Sequence, residues 1–134
     1  MKQKDETMVA LYQLLGRIFF AAAQADNVIR EEEIATLKVV VNDVWLDAED
    51  TFDEFNSDSA HQIEIVFDYL LENDGVVEDV IGELHDFKRI HRSLFTPELI
   101  ELIMNTVYKI VSSYAKRNKS ELVFISRLRM ALEG

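Results

Sequence analysis

At 134 residues the chain is about one domain long, enough to bury a single core, and residues 1–134 are expected to form one domain. Apolar residues make up 49%, with four Gly, one Pro and no Cys, which argues against disorder and a turn-rich all-β fold and excludes disulfides and thiolate ligation. A formal charge of −11 argues by its sign against a protein that neutralises nucleic-acid phosphates or anionic lipid.

The first element is a helix from about Thr7 to Gln24. Met8, Leu11, Leu15, Ile18 and Ala22 fall on one stripe, with Tyr12, Phe19 and Ala23 beside it. Between Val9 and Ala23 only Gln13, Gly16 and Arg17 are not apolar. A helix apolar nearly all round must be wrapped by other elements, and Gly16, poor in helix propensity, marks a close approach by one of them. The turn Ala25-Asp26-Asn27-Val28-Ile29-Arg30 then feeds Glu31-Glu32-Glu33, whose carboxylates suit the positive end of a new helix. Ile29 and Ile34 are spaced as a hydrophobic staple around Arg30, a residue without the short acceptor of a good N-cap.

The second helix runs through Ile34, Leu37, Lys38, Val41, Val44 and Trp45. A short amphipathic helix over Asp47 to Phe55, with Ala48, Phe52 and Phe55 inward, leads to turn and cap residues at 56–59. The next helix places Ile63, Val66, Phe67, Leu70 and Leu71 inside and stops at Asn73-Asp74-Gly75, where a left-handed glycine is expected. A helix over about Val77 to Ser93 packs Val80, Ile81, Leu84, Phe87 and Ile90 or His91. Thr96-Pro97-Glu98 is the cleanest helix start, with Thr as N-cap and Pro in the first turn. The helix it opens runs to about Arg117, and a last one buries Leu122, Ile125, Leu128 and Leu132. The expected fold is therefore all-α, a compact bundle of about seven helices around a buried first helix. The first and late hairpins echo each other as a pseudo-repeat.

Charge is unevenly placed: residues 1–87 hold 21 acids and 5 Lys or Arg (net −16), residues 88–134 hold 4 acids and 9 Lys or Arg (net +5). Complementarity within one fold, or between two molecules, accounts for such a split. The acidic turn is the candidate metal site, because Ca²⁺ or Mg²⁺ needs several oxygens converging on one point. It is not an EF-hand loop, since Val28 and Arg30 occupy the third and fifth positions counted from Asp26. The acids at Asp47, Glu49, Asp50, Asp53, Glu54 and Asp58 spread over a solvated face, and His61, His85 and His91 lack metalloprotease spacing. No phosphate loop or nucleophile elbow is present, so a non-enzymatic protein is expected. Nothing in Met1-Lys2-Gln3-Lys4-Asp5-Glu6 resembles a signal peptide, and no stretch is apolar enough to span a bilayer, so the expected location is cytoplasmic.

The run from Leu14-Leu15 to Ala22, then Ala25-Asp26-Asn27, then Glu32-Glu33-Ile34 resembles the TerB-like family of tellurite-resistance proteins, which typically read Ala-Asp-Gly at the turn. That family's fold is also similar to the N-terminal domain of DnaJ-type membrane co-chaperones. The resemblance extends to Thr96-Pro97-Glu98, while the family's second acidic turn corresponds here to Ala115-Lys116-Arg117-Asn118-Lys119-Ser120-Glu121, whose charge is basic. It implies a bundle of two pseudo-repeated halves acting in stress-response complexes near the membrane, with a divalent cation such as Ca²⁺ or Mg²⁺ held by Asp26, Glu32 and Glu33. The other expectation is a protein-docking or self-associating adaptor without metal, with Glu31 on the acidic side and Lys116, Arg117 and Lys119 on the basic side. Tellurite resistance itself does not follow, because a fold does not fix a function.

Overall fold

The structure, a computed structural model, describes residues 2–25, 28–46, 60–73, 75, 77–113 and 119–134. Among these residues there are six α-helices and no strand. In chain order they are α1 (Lys2–Gln24), α2 (Glu31–Val40), α3 (His61–Glu72), α4 (Val80–Ile90), α5 (Pro97–Ser112) and α6 (Lys119–Glu133). A π-helical turn, Val41–Trp45, prolongs α2, and a 3-10 turn, Arg92–Leu94, follows α4. The expected short helix over Asp47–Phe55 and the cap residues before α3 lie outside the described residues, as does the expected end of α5 near Arg117.

The bundle is built around α1. It packs most closely on α3 and is further enclosed by α4, α5 and α6, while α2 lies across α5. Tyr12, Leu15, Ile18, Phe19, Ala22 and Ala23 have no exposed surface, as a helix apolar on every side requires. The few polar side chains of α1 reach the elements that cover it. Gln13 donates to Gln62 Oε1 at 3.2 Å, Arg17 pairs with Glu83 at 3.2 Å, and Gln24 donates to the carbonyl of Gly75 at 3.1 Å. Buried polar groups are retained where partners satisfy them, so these residues orient α1 without interrupting its core contacts.

Gly16 lies where α1 and α3 meet. A Cβ added there would sit 2.8 Å from the Ile63 carbonyl oxygen and 2.9 Å from Val66 Cβ, so the close approach expected from the sequence is real and involves backbone. Phe20 and Phe67 extend the same seam with an edge-to-face contact at 5.4 Å. Trp45 ties in the other side, with its ring 6.3 Å from Tyr12 and 6.0 Å from Phe19. Its indole N–H donates to Thr106 Oγ1 on α5 at 2.9 Å, and Thr106 in turn donates to the Leu102 carbonyl at 2.8 Å. Residues four apart overrun a 3.6-residue turn, so the wider turn at 41–45 keeps Leu37, Val41 and Trp45 on one buried line.

Several boundaries differ from expectation. Helix α1 starts at Lys2 instead of Thr7, because its charged first turn is made of good helix formers. Helix α4 is shorter than 77–93 because Asp79 accepts from the Gly82 amide at 3.1 Å and starts the helix there, leaving Glu78 outside it. In α6 the inward line is Glu121, Ile125, Leu128 and Leu132, and Leu122 is 49% exposed instead of buried. Gly75 is not left-handed; its amide closes α3 by donating to the Leu70 carbonyl at 2.8 Å. A Cβ there would strike Leu70 Cδ2 at 2.7 Å, so the glycine serves packing. At α5 the expected start is present, with the Thr96 hydroxyl accepting from the Leu99 amide at 3.1 Å and Pro97 in the first turn.

Two substitutions test this core. Gly16→Ala adds helix propensity yet forces α1 off α3, so it is expected to lower unfolding free energy by about 1 to 3 kcal/mol, the range for overpacking; a gain in urea midpoint would show that the seam is loose. Phe19→Ala is expected to cost about 3 to 5 kcal/mol in the same measurement, as for a fully enclosed aromatic.

Candidate functional site

The acidic turn between α1 and α2 is the place to begin, because the first turn of α2 gathers three carboxylates. Arg30 is extended at φ −104°, ψ 153°, and its carbonyl accepts from the amides of Glu33 (3.0 Å) and Ile34 (3.2 Å), which starts the helix. The arginine side chain has no acceptor to offer as a cap. Glu33 supplies the missing half from the other direction, since its Oε1 accepts from the Arg30 amide at 2.9 Å. A Glu at the third helical position reaching back in this way is half of a capping box, a signal that lay in the sequence and outweighs the poor N-cap residue. Ile29 and Ile34 both pack on the core, as the staple spacing requires.

The three acids therefore have different fates. Glu33 is 1% exposed and committed to the cap, whereas Glu31 and Glu32 face solvent. Asp26 lies outside the described residues. A hard cation needs several oxygens converging on one point, and among the described residues no group of three or more metal-ligating side chains comes together. Glu31, Glu32 and Glu33 thus do not form a chelating set by themselves, and Glu31 and Glu32 leave exposed negative charge on a helix end that favours it.

On the basic side, Lys119 is the first residue of α6 and is exposed, while Lys116 and Arg117 lie outside the described residues. A cation at the positive end of a helix opposes the dipole, so Lys119 is not placed there for the helix's own stability. Glu121, third in the same helix, is buried at 3% exposure, just as Glu33 is third and buried in α2. The histidines stay apart: His61 and His85 are exposed, and His91 lies against Phe87 with the rings tilted and 4.5 Å between their centres.

Sequence reasoning missed how the basic segment spends its charge. Lys88, 9% exposed at the end of α4, donates to the carbonyls of Ala131, Leu132 and Gly134 and so caps the C-terminus of α6. Arg129 donates to the Tyr108 hydroxyl at 3.0 Å and to Glu133 at 3.1 Å. The Tyr108 hydrogen bond, and Glu133 after it, raise the guanidinium above its ordinary pKa. Both side chains border a cleft of about 660 Å³ between the end of α4, α5 and α6. No periodicity within a single helix could have disclosed a site assembled from three.

Glu33→Ala is expected to cost about 1 kcal/mol, the usual loss for a helix cap, and Glu32→Ala close to nothing. Thermal unfolding should give the same losses with and without millimolar Ca²⁺ or Mg²⁺; a loss at Glu33 seen only with cation would instead make it a ligand.

Comparison with known proteins gives no match to a family model, to a curated protein or to a solved structure.

Proposed function

We propose that the protein is a non-catalytic, TerB-like interaction module that docks a basic protein surface through the acidic head of α2. The observation that carries this is the pair Glu31 and Glu32, exposed side by side and without an ion-pair partner among the described residues, next to a Glu33 that is spent on the cap. The rest of the acidic segment adds to the field: Asp43, Glu72 and Glu78 are also exposed and make no ion pair among the described residues. The ion pairs of Lys38 with Asp68, Arg17 with Glu83 and Asp86 with Arg89 are solvated, and of these only the last brings in a cation from outside the segment's net −16. Support for the family reading comes from the all-helical bundle, the buried first helix and the Thr96-Pro97-Glu98 start. No described helix is long and apolar enough to cross a membrane, so any membrane association in this reading goes through the partner.

A second copy of the chain provides a basic stretch of sequence for testing the idea, Lys116, Arg117 and Lys119, of which Lys119 is described and exposed. Attraction between exposed charges is screened over roughly 10 Å at 0.1 M salt, so association driven by these faces should weaken as salt rises. Sedimentation at about 0.02 and 0.5 M salt, values that bracket that screening range, is expected to show oligomer at the lower salt and monomer at the higher. Glu31→Lys with Glu32→Lys should give a monomer at both, as should reversal of the three basic residues to Glu. Mixing the two variants should restore association. A wild type that is monomeric at low salt removes self-association and confines docking to a different partner.

A further inference from the structure

The cleft between the end of α4, α5 and α6 is lined by charged and apolar side chains together. Its volume of about 660 Å³ falls within the roughly 300 to 1,000 Å³ typical of ligand pockets. Phe95 and Leu132 supply apolar lining from two different elements, and Ile100 and Met104 continue it along α5. The Phe95 ring meets Phe87 edge-to-face at 6.1 Å, which holds that part of the lining in place.

The charged groups around this apolar lining are unequal in their commitments. The Lys88 ammonium is taken up by three carbonyls and contributes charge without a free donor. Arg129 is oriented by Tyr108 and Glu133, which engage only part of its five-donor fork. Arg92 stands on the 3-10 turn, whose backbone is fixed by the Leu94 amide on the His91 carbonyl (3.0 Å) and the Phe95 amide on the Arg92 carbonyl (3.1 Å). Its guanidinium makes no ion pair among the described residues. Two carboxylates, Glu101 and Glu133, also border the cleft, so its side chains carry three cations against two anions. Those carboxylates beside the guanidinium groups disfavour a second negative charge on a bound head.

We propose that this cleft binds an amphiphilic monocarboxylate, with an aliphatic tail against Pro97, Ile100 and the edge of Phe95 and one carboxylate held by Arg92 and Arg129. The planar guanidinium fork matches a carboxylate in two parallel hydrogen bonds, and the apolar lining gains by covering the tail. A free fatty acid and the C-terminal residue of an apolar peptide share this chemistry. The site is separate from the acidic head of α2, since neither Glu31 nor Glu32 borders it.

Calorimetric titration with octanoate, octanol and octyl phosphate tests the assignment. Octanoate is expected to bind, with octanol and octyl phosphate each weaker by about tenfold or more, the scale of one lost charge-assisted hydrogen bond. Arg92→Gln, a change at an exposed position, should weaken octanoate about tenfold on the same ground and leave octanol unchanged. Ile100→Trp, checked for native helical content, should fill the cleft and abolish binding; if it does not fold, Arg92→Gln decides alone. Acetyl-Leu-Leu with a free and with an amidated C-terminus identifies the source. Free-acid peptide binding tighter than octanoate, and lost on amidation, makes a peptide end the ligand; peptide binding weaker than octanoate supports a fatty acid. No binding of octanoate at millimolar concentration, octanol binding as tightly, octyl phosphate binding more tightly, or indifference to Arg92→Gln would each overturn the proposal.

Discussion

The burial of α1 is the constraint on which the other elements depend. Side chains without solvent exposure occur all around it, from Tyr12 and Leu15 to Ile18, Phe19, Ala22 and Ala23, so no orientation of this helix at a protein surface would satisfy them. Each fully buried large apolar side chain contributes on the order of 1.5 to 3 kcal/mol, enough in sum to dictate that helices close around it. Glycine at position 16 lets α3 come near enough to interlock with it, and Trp45 secures the opposite side through Tyr12, Phe19 and Thr106. The short polar line Gln13, Arg17 and Gln24 faces the seams between covering elements, where each side chain finds a partner.

Charge is distributed by the same arrangement. In the basic segment, Lys88 is drawn into the protein to terminate α6, and Arg129 is held against Tyr108, so those cations serve the fold before they serve any partner. The acidic segment does the opposite at the head of α2. One of its three carboxylates turns inward to complete the helix start, and the two beside it stay in solvent. A stretch that looks like one acidic cluster in the sequence is in space one structural group and a two-residue charged surface.

Much of the secondary structure was legible because its signals are local. The capped start at Thr96, the apolar stripes of α1 and α5, and the close approach at Gly16 each follow from residues within a turn or two of one another. The misplacements occurred where two local signals competed. Asp79 took the N-cap of α4 ahead of the longer amphipathic pattern, and Leu70 decided that Gly75 serves contact rather than a left-handed bend. At the start of α6, Leu122 and Glu121 are adjacent, and hydropathy favours burying the first, yet the helix turns the second inward. Rotation of a helix about its axis is set by all its partners together, and no single residue's preference can fix it.

What the sequence determined by itself is the class of the molecule and its axis: an all-helical chain with a first helix too apolar to be anything but central, because a helix without a polar face cannot lie against water. The acidic front and basic rear were also fixed by composition, since charge adds along the chain whatever the fold. Only the tertiary structure decided which charges remain available, because a carboxylate or ammonium becomes a cap or a free surface group according to the backbone groups that packing brings to it. Lys88 meets the last carbonyls of α6, 43 to 46 residues further along the chain, whereas the Glu33 cap on the Arg30 amide spans only three residues and was a local signal. The cleft that Arg92 and Arg129 border exists for the same reason: its walls come from three helices that share no sequence pattern and meet only because all of them must cover the core.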